Sequence, residues 1–306
     1  MGKIYEALAR AGSARSEDKQ SDYTDIEFDY TDIDVEDERE IRNARNERND
    51  QEQFNFLRYS LGASSIFEKD RAKRDAATAA ITRRSQAQPA REVTVDFSRL
   101  DPHLAAFYNF DRRASEQYNK LALTLISRAA ERGVRRVLVA SAQRGEGRTS
   151  VTLNLACALA RAKQRVLVVD CDLIEPAVTA KLGIDCDLGM AEAFRAGMSP
   201  GAAVLRVLPY GFNLLPTVKR VENPVEILAA PGFWKMLQTF DNDHDFILFD
   251  SSPLLAMGDS SLLVRFTDAT LLVVRQGHTS SAQMAKAIAP FSREDILGVV
   301  LNRAQE

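Results

Sequence analysis

From residue 100 onward, two patterns of apolar positions alternate. Short unbroken apolar runs occur at Arg136–Ser141, Arg165–Asp170, Phe246–Asp250, Ala269–Val274 and Leu297–Leu301. Between them lie stretches with helical spacing, clearest over Ala114–Ala130 and Thr149–Ala162. A strand that is apolar on both sides belongs in a parallel sheet covered on both faces, and helices supply the cover. The pattern therefore predicts an α/β fold: three layers, with a mostly parallel sheet in the middle. In such sheets ligands bind just outside the carboxyl ends of the strands.

Before residue 100 the pattern is lost. Met1–Ala11 is one exception: Ile4 and Leu8 lie four apart, flanked by Ala7 and Ala11, a single apolar stripe on a short amphipathic helix. A helix of that length is marginal alone in water. It reads either as a frayed or self-packed terminus or as a docking helix for another protein. Residues 17–40 are strongly acidic and contain a small repeat, Asp22-Tyr23-Thr24-Asp25-Ile26 and Asp29-Tyr30-Thr31-Asp32-Ile33. High charge of one sign with little apolar surface favours disorder. The segment reads as a solvated tail, or as a recognition segment with Tyr23 and Tyr30 as candidate phospho-acceptors. The predicted organisation is a helix over 1–11, a charged and mostly disordered linker over 12–99, and one α/β domain over 100–306.

Composition narrows the function classes. The 306 residues are 45% hydrophobic with a formal net charge of −3, so no basic surplus points to nucleic acid. Cys157, Cys171 and Cys186 form no CxxC pair and no metal-ligand spacing with His103, His244 or His278. Reduced thiols in the cytoplasm are the simplest reading. No apolar run approaches the ~20 residues needed to cross a bilayer. Gly2 follows Met1, but Glu6 stands where a myristoylation signal has Ser or Thr. Any attachment to the inner membrane is expected to be peripheral, through a partner.

The chemistry lies at the strand ends. Ala142-Gln143-Arg144-Gly145-Glu146-Gly147-Arg148-Thr149 follows a predicted strand and opens a predicted helix, the setting of a phosphate-binding P-loop. Gly145 and Gly147 allow a tight turn that brings backbone N–H groups onto phosphate oxygens, and the helix N-terminus adds its dipole. Thr149 offers a hydroxyl to Mg²⁺, and Ser150 follows it. Against the pattern GxxxxGK[ST], Ala142 replaces the first Gly and Arg148 replaces the Lys. By itself the stretch is also compatible with a Gly-rich turn that binds nothing. Three carboxylates change that balance: Asp170 and Asp172 follow one apolar strand and Asp250 ends another. Unpaired buried charge is costly, whereas a Mg²⁺–phosphate site uses such carboxylates.

Residues 100–303 resemble the bacterial tyrosine kinases of polysaccharide export, the CpsD/CapB-like family related to the Min/Par ATPases. The likeness is carried by Gly145-Glu146-Gly147-Arg148-Thr149, Asn154-Leu155-Ala156, Asp170-Cys-Asp172-Leu-Ile-Glu-Pro176, Asn223-Pro224-Val-Glu226-Ile-Leu228, Asp250-Ser-Ser-Pro253 with Asp259, and Gly298-Val-Val-Leu-Asn302-Arg303. It implies a P-loop NTPase that uses ATP and Mg²⁺ as an autokinase in exopolysaccharide or capsule synthesis. Ala142, Gly145, Glu146, Gly147, Arg148, Thr149, Ser150 and Asn302 would bind nucleotide, Asn302 at the adenine. Thr149, Asp172 and Asp250 would serve the metal, and Arg148, Asp170 and Asp172 the phosphoryl transfer. A homo-oligomer is implied, as is a membrane polysaccharide co-polymerase whose cytoplasmic tail activates the kinase.

The sequence departs from that family at four places. Arg148 replaces Lys, and the two are not interchangeable. The residues up to Glu306 contain no tyrosine cluster. Glu116-Gln-Tyr-Asn119-Lys-Leu-Ala122 lacks both arginines of the family's assembly motif, and Ile174 replaces an arginine of the aspartate motif. Three readings follow: a tyrosine kinase, a kinase-inactive regulatory ATPase subunit of an export complex, and a Min/Par-type partition ATPase. The last usually carries a second Lys near the position of Gln143.

Overall fold

The computed structural model describes residues 90–108, 112–256 and 260–303. The expected helix over 1–11, the linker up to residue 89, Tyr23, Tyr30 and Asp259 lie outside these residues. Eight strands form one sheet: β1 (Arg91–Thr94), β2 (Arg136–Ser141), β3 (Val166–Asp170), β4 (Leu205–Leu208), β5 (Phe212–Leu215), β6 (Phe246–Asp250), β7 (Ala269–Arg275) and β8 (Ile296–Asn302). Their order is β1-β4-β5-β3-β6-β2-β7-β8. Every neighbouring pair is parallel except β4 with β5.

Four of the five strands predicted from apolar runs, β2, β3, β6 and β7, lie side by side within the sheet, with β8 at its edge, and burial on both faces is the reason the inner four lack alternation. Along β2, Val137 and Val139 pack into one apolar layer while Leu138 and Ala140 pack into the other. Val166 and Val168 of β3 join the first layer, Leu167 and Val169 the second. Two cores on opposite faces of one sheet give the expected three-layer architecture.

Helix α1 (Arg112–Arg132) lays Tyr118, Leu121, Ala122 and Leu125 on the first core. Helix α2 (Arg148–Arg161) is buried from Arg148 through Leu159, which explains its small residues Ala156, Cys157 and Ala158. Shorter helices follow: α3 (Val178–Leu182), α4 (Met190–Arg195), α5 (Pro224–Leu228), α6 (Pro231–Gln238), α7 (Ser260–Val264) and α8 (Ser281–Ile288). Phe233 and Trp234 of α6 fill the second core, with Trp234 stacked on Phe266 at 3.5 Å between centroids.

One expectation is corrected. The sheet reaches back before residue 100, because β1 pairs in parallel with β4 through Arg91↔Leu205 to Thr94↔Leu208. Arg-Glu-Val-Thr carries no apolar run, since an edge strand with three of four residues exposed has no core face to encode. The segment read as the end of a linker is thus the sheet's first strand.

Candidate functional site

The P-loop connects β2 to α2 at the carboxyl edge of the sheet. Gly145 and Gly147 both take positive φ, +81° and +89°, the left-handed conformation that favours glycine. At Gly147 space is also limiting: a Cβ would sit 1.9 Å from Asn302 Nδ2. Asn302, at the end of β8, donates from that nitrogen to the Glu146 carbonyl at 2.8 Å. The strand end expected to meet adenine is therefore also a brace for the phosphate loop.

Glu146 is the loop's inner anchor. It is 1% exposed, its carboxylate accepts the Gln143 amide at 2.8 Å, and Thr279 donates its hydroxyl to the other oxygen. Burial raises its carboxyl, opposed by the amides of Gln143 and Ala142 and by Arg148. Across the mouth, Arg144 pairs with Glu175.

The carboxylates come together because β3 and β6 are neighbours in register, Asp170 opposite Asp250. Asp250 Oδ2 accepts the Thr149 hydroxyl at 2.7 Å, and its Oδ1 accepts the Thr152 hydroxyl at 3.2 Å. Asp172 Oδ1 accepts the Glu175 amide at 3.1 Å and the Ser252 hydroxyl at 3.4 Å. Asp170 Oδ1 accepts the Asp172 amide at 3.2 Å, while its buried Oδ2 has no hydrogen-bond partner.

Burial, then Asp250 and Asp172, push the Asp170 carboxyl well above the usual carboxylate range. Burial also raises Asp250 and Asp172, with Arg148 opposing it at both.

Arg148 bridges these groups. Its Nη2 lies 2.9 Å from Asp172 Oδ2, its Nε 3.2 Å from Asp250 Oδ1, and its Nη1 3.3 Å from Ser141 Oγ. Only 8% of the residue is exposed. The guanidinium lies against the carboxylates, and Arg148 with Thr149 screens Asp250 from the cavity in front.

That cavity holds about 310 Å³ and is lined by Gln143 through Ser150, with Asp172, Glu175 and Asn302. Of the nucleotide-site residues expected from sequence, Gly145, Glu146, Gly147, Arg148, Thr149, Ser150 and Asn302 line it. Ala142 does not: it is fully buried in the second core. Asp170 and Asp250 lie behind the wall and Asp172 is on it.

The far wall was not foreseen. Asp101, His103, Lys181 and Arg303 also line the cavity. Lys181 Nζ donates to Asp101 Oδ2 at 2.5 Å, His103 Nδ1 lies 2.8 Å from Asp101 Oδ1, and Arg303 contacts His103 Nε2 at 3.2 Å. Asn154 of α2 holds this segment: its Oδ1 accepts the Ala106 amide at 2.8 Å and its Nδ2 donates to the His103 carbonyl at 3.0 Å. The Asn154-Leu155-Ala156 motif was legible in sequence, but not its partner 51 residues upstream.

The donor chemistry fits Mg²⁺, which takes hard oxygen ligands and is held by one or two protein groups beside phosphate and water. Thr149, Asp172 and Asp250 offer such oxygens, and the unpartnered Asp170 Oδ2 lies in the same cluster. Among the described residues no group of three or more His, Cys, Asp or Glu side chains forms a protein-only metal cage.

A phosphate cradle backed by strand-end carboxylates defines a nucleotide-binding P-loop protein. The chain belongs to the CobQ/CobB/MinD/ParA nucleotide binding domain family, whose profile matches residues 137–306. Several of the curated proteins it resembles are named tyrosine-protein kinases. It is 26% identical over 207 residues to the tyrosine-protein kinase YwqD of Bacillus subtilis (strain 168), covering 67% of this chain and 87% of that protein. It is 26% identical over 158 residues to the tyrosine-protein kinase wzc of Salmonella typhi, covering 51% of this chain but 22% of that longer protein. Among solved structures, the kinase domain of VpsO aligns with a TM-score of 0.57 at 27% identity, over 65% of this chain and all of that one. The kinase domain of the Escherichia coli tyrosine kinase ETK shares the fold, with a TM-score of 0.62 at 23% identity over 73% of this chain and 87% of that one. The resemblance read from the motifs is thus met in both sequence and fold. Among the described residues no helix is long and apolar enough to cross a membrane.

Proposed function

We propose that this chain is an ATP-dependent protein-tyrosine kinase that regulates exopolysaccharide or capsule synthesis and export. The observation that carries the reading is the convergence of Thr149, Asp172 and Asp250 behind a glycine P-loop, in a chain that matches 87% of a tyrosine-protein kinase. Backbone amides from Gly145 to Thr149 hold the β- and γ-phosphates. Mg²⁺, when bound, neutralises phosphate charge, and Thr149, Asp250 and Asp172 would hold it. The acceptor tyrosine oxygen attacks the γ-phosphorus as the bond to the β–γ bridging oxygen breaks, and ADP leaves. Asp172, on the cavity wall with a raised carboxyl, receives the tyrosine proton.

The described tyrosines are committed to packing. Tyr108 donates to the Leu100 carbonyl and Tyr210 to the Phe107 carbonyl, while Tyr118 is 1% exposed. Burial pushes the Tyr210 hydroxyl up to about 12. Tyr23 and Tyr30, in their duplicated acidic contexts, are the acceptors in this reading. The partners are other copies of this chain and a membrane co-polymerase with an activating cytoplasmic tail, which places the protein in the cytoplasm beside the inner membrane.

A second reading is favoured by one observation: Arg148 occupies both Asp172 and Asp250. In it, the chain binds ATP and gates an export complex without transferring phosphate. The experiment is a phosphotyrosine assay with ATP and Mg²⁺ on the wild type, an Asp170→Ala/Asp172→Ala variant and Arg148→Lys, each with and without a candidate tail peptide. Phosphotyrosine that disappears with the aspartates supports the kinase. ATP binding without phosphotyrosine in the wild type, under any of these conditions, overturns it for the regulatory subunit.

A further inference from the structure

Four Lys and Arg residues line the cavity: Arg144, Arg148, Lys181 and Arg303. Arg148 is buried on Asp172, Asp250 and Ser141. Lys181 is largely enclosed with Asp101, and Arg303 is turned toward His103. Arg144 is different. Its Nη1 pairs with Glu175 Oε2 across the mouth, and these two side chains are 52% and 54% exposed. An ion pair so open to water contributes little and yields readily to a stronger anion. The backbone beneath it is fixed, because the Gln143 amide is tied to Glu146 and Gly145 makes the turn. Only the side chain has to move.

The pair stands at the carboxylate end of the cavity. Asp172 and Glu175 follow β3 three residues apart, and the Glu175 amide donates to Asp172 Oδ1 at 3.1 Å. Burial raises the Asp172 carboxyl, and the charge of Arg144, after that of Arg148, opposes the rise. The Arg144 guanidinium is therefore within electrostatic reach of Asp172. Asn302 and Arg303 follow from β8, which is separated from β3 by β6, β2 and β7. A nucleotide laid with its base at Asn302 and its chain along the P-loop brings its last phosphate toward Arg144.

We propose that Arg144 is the residue that distinguishes a nucleoside triphosphate from a diphosphate, by leaving Glu175 to pair with the γ-phosphate. A phosphate with two charged oxygens suits the parallel N–H donors of a guanidinium better than a solvated carboxylate does. Arg148 keeps its place on the two aspartates throughout, and Arg144 meets the phosphate from the solvent side. The inference rests on the nucleotide-binding reading of the same site but not on phosphoryl transfer.

The test is calorimetric titration of the full chain, in Mg²⁺, with ADP and with the non-hydrolysable β,γ-imido analogue of ATP. The wild type is compared with Arg144→Ala and Glu175→Gln. Arg144→Ala is expected to lose about tenfold in affinity for the analogue, the scale of one charge-assisted contact, and less than about twofold for ADP. Glu175→Gln, which removes the competing carboxylate, is expected to bind the analogue about two- to threefold more tightly. A pair that only latches the mouth would be broken alike by both changes, so shifts in the same direction overturn the proposal. Equal losses for ADP and the analogue in Arg144→Ala, or no loss for either, also overturn it. Both side chains are half-exposed, so folding is expected to survive; Arg144→Gln, which keeps length without charge, repeats the comparison. If the wild type binds neither nucleotide, the nucleotide reading itself falls. Triphosphate selectivity that depends on Arg144, without phosphotyrosine formation, upholds the role of Arg144 and overturns only the kinase.

Discussion

Arg148 Nη2 stands 2.9 Å from Asp172 Oδ2, with the two side chains 8% and 7% exposed. An ion pair so enclosed has been taken out of water, and removing one member strands the other. Arg148→Ala strands Asp172 and Asp250 together. It is expected to destabilise the domain by about 3 kcal/mol, in the range for breaking a buried pair. Urea unfolding should show a lower midpoint with an unchanged slope. An unchanged midpoint would mean that the arginine neutralises nothing.

Asp170 makes the opposite prediction. Its carboxyl is held well above the ordinary 3.8 by burial first, then by Asp250 and Asp172. The unfolded chain releases this proton near its ordinary value, whereas the folded chain keeps it to higher pH. The folded state therefore binds more protons across that interval, and stability falls as pH rises through it. Asp170→Asn removes the titration. It should raise the melting temperature at pH 7.5 by a few degrees, at about 2–4 °C per kcal/mol for a domain of this size. The gain should shrink toward pH 4. Calorimetry at the two pH values checks this; equal gains at both would refute the assignment. The same variant should lose phosphotyrosine formation.

Asn154 ties the wall of the cavity to the P-loop helix through Ala106, His103 and its own Ser150 carbonyl at 2.9 Å. Asn154→Ala leaves the Ala106 amide and the His103 carbonyl without their side-chain partner. It is expected to cost about 2–3 kcal/mol, and hydrogen exchange should quicken at Ala106 and its neighbours. Uniform exchange across the domain, with no focus at that segment, would mean that the asparagine does not hold the wall.

Much of the fold and part of the site were legible in the chain. The unbroken apolar runs identified β2, β3, β6, β7 and β8, because strands covered on both faces carry no alternation to confuse with surface. Gly145, Gly147, Thr149, Asp170, Asp172 and Asp250 read as parts of one site, because a tight βα turn and carboxylates just past strands have few other uses, and the fold brings them together at the carboxyl edge of the sheet. The edge strand β1 and the antiparallel pair β4 and β5 stayed hidden. Four-residue strands have too few positions to show a period, and β1 presents little to a core.

What tertiary structure decided is where each charge points. The sequence by itself determined that Arg148 stands where a lysine is expected. It did not determine that the guanidinium lies on Asp172 and Asp250, because those residues are 24 and 102 positions away and meet it only once β6 lies between β3 and β2. Nor did it show that Asp101 and His103 line the far wall, or that Thr279 holds Glu146 across 133 residues. Local pattern fixes which segments form strands and helices, since burial is read from neighbours along the chain. Partners of buried polar groups are fixed by which strands become adjacent, and that is a property of the assembled sheet.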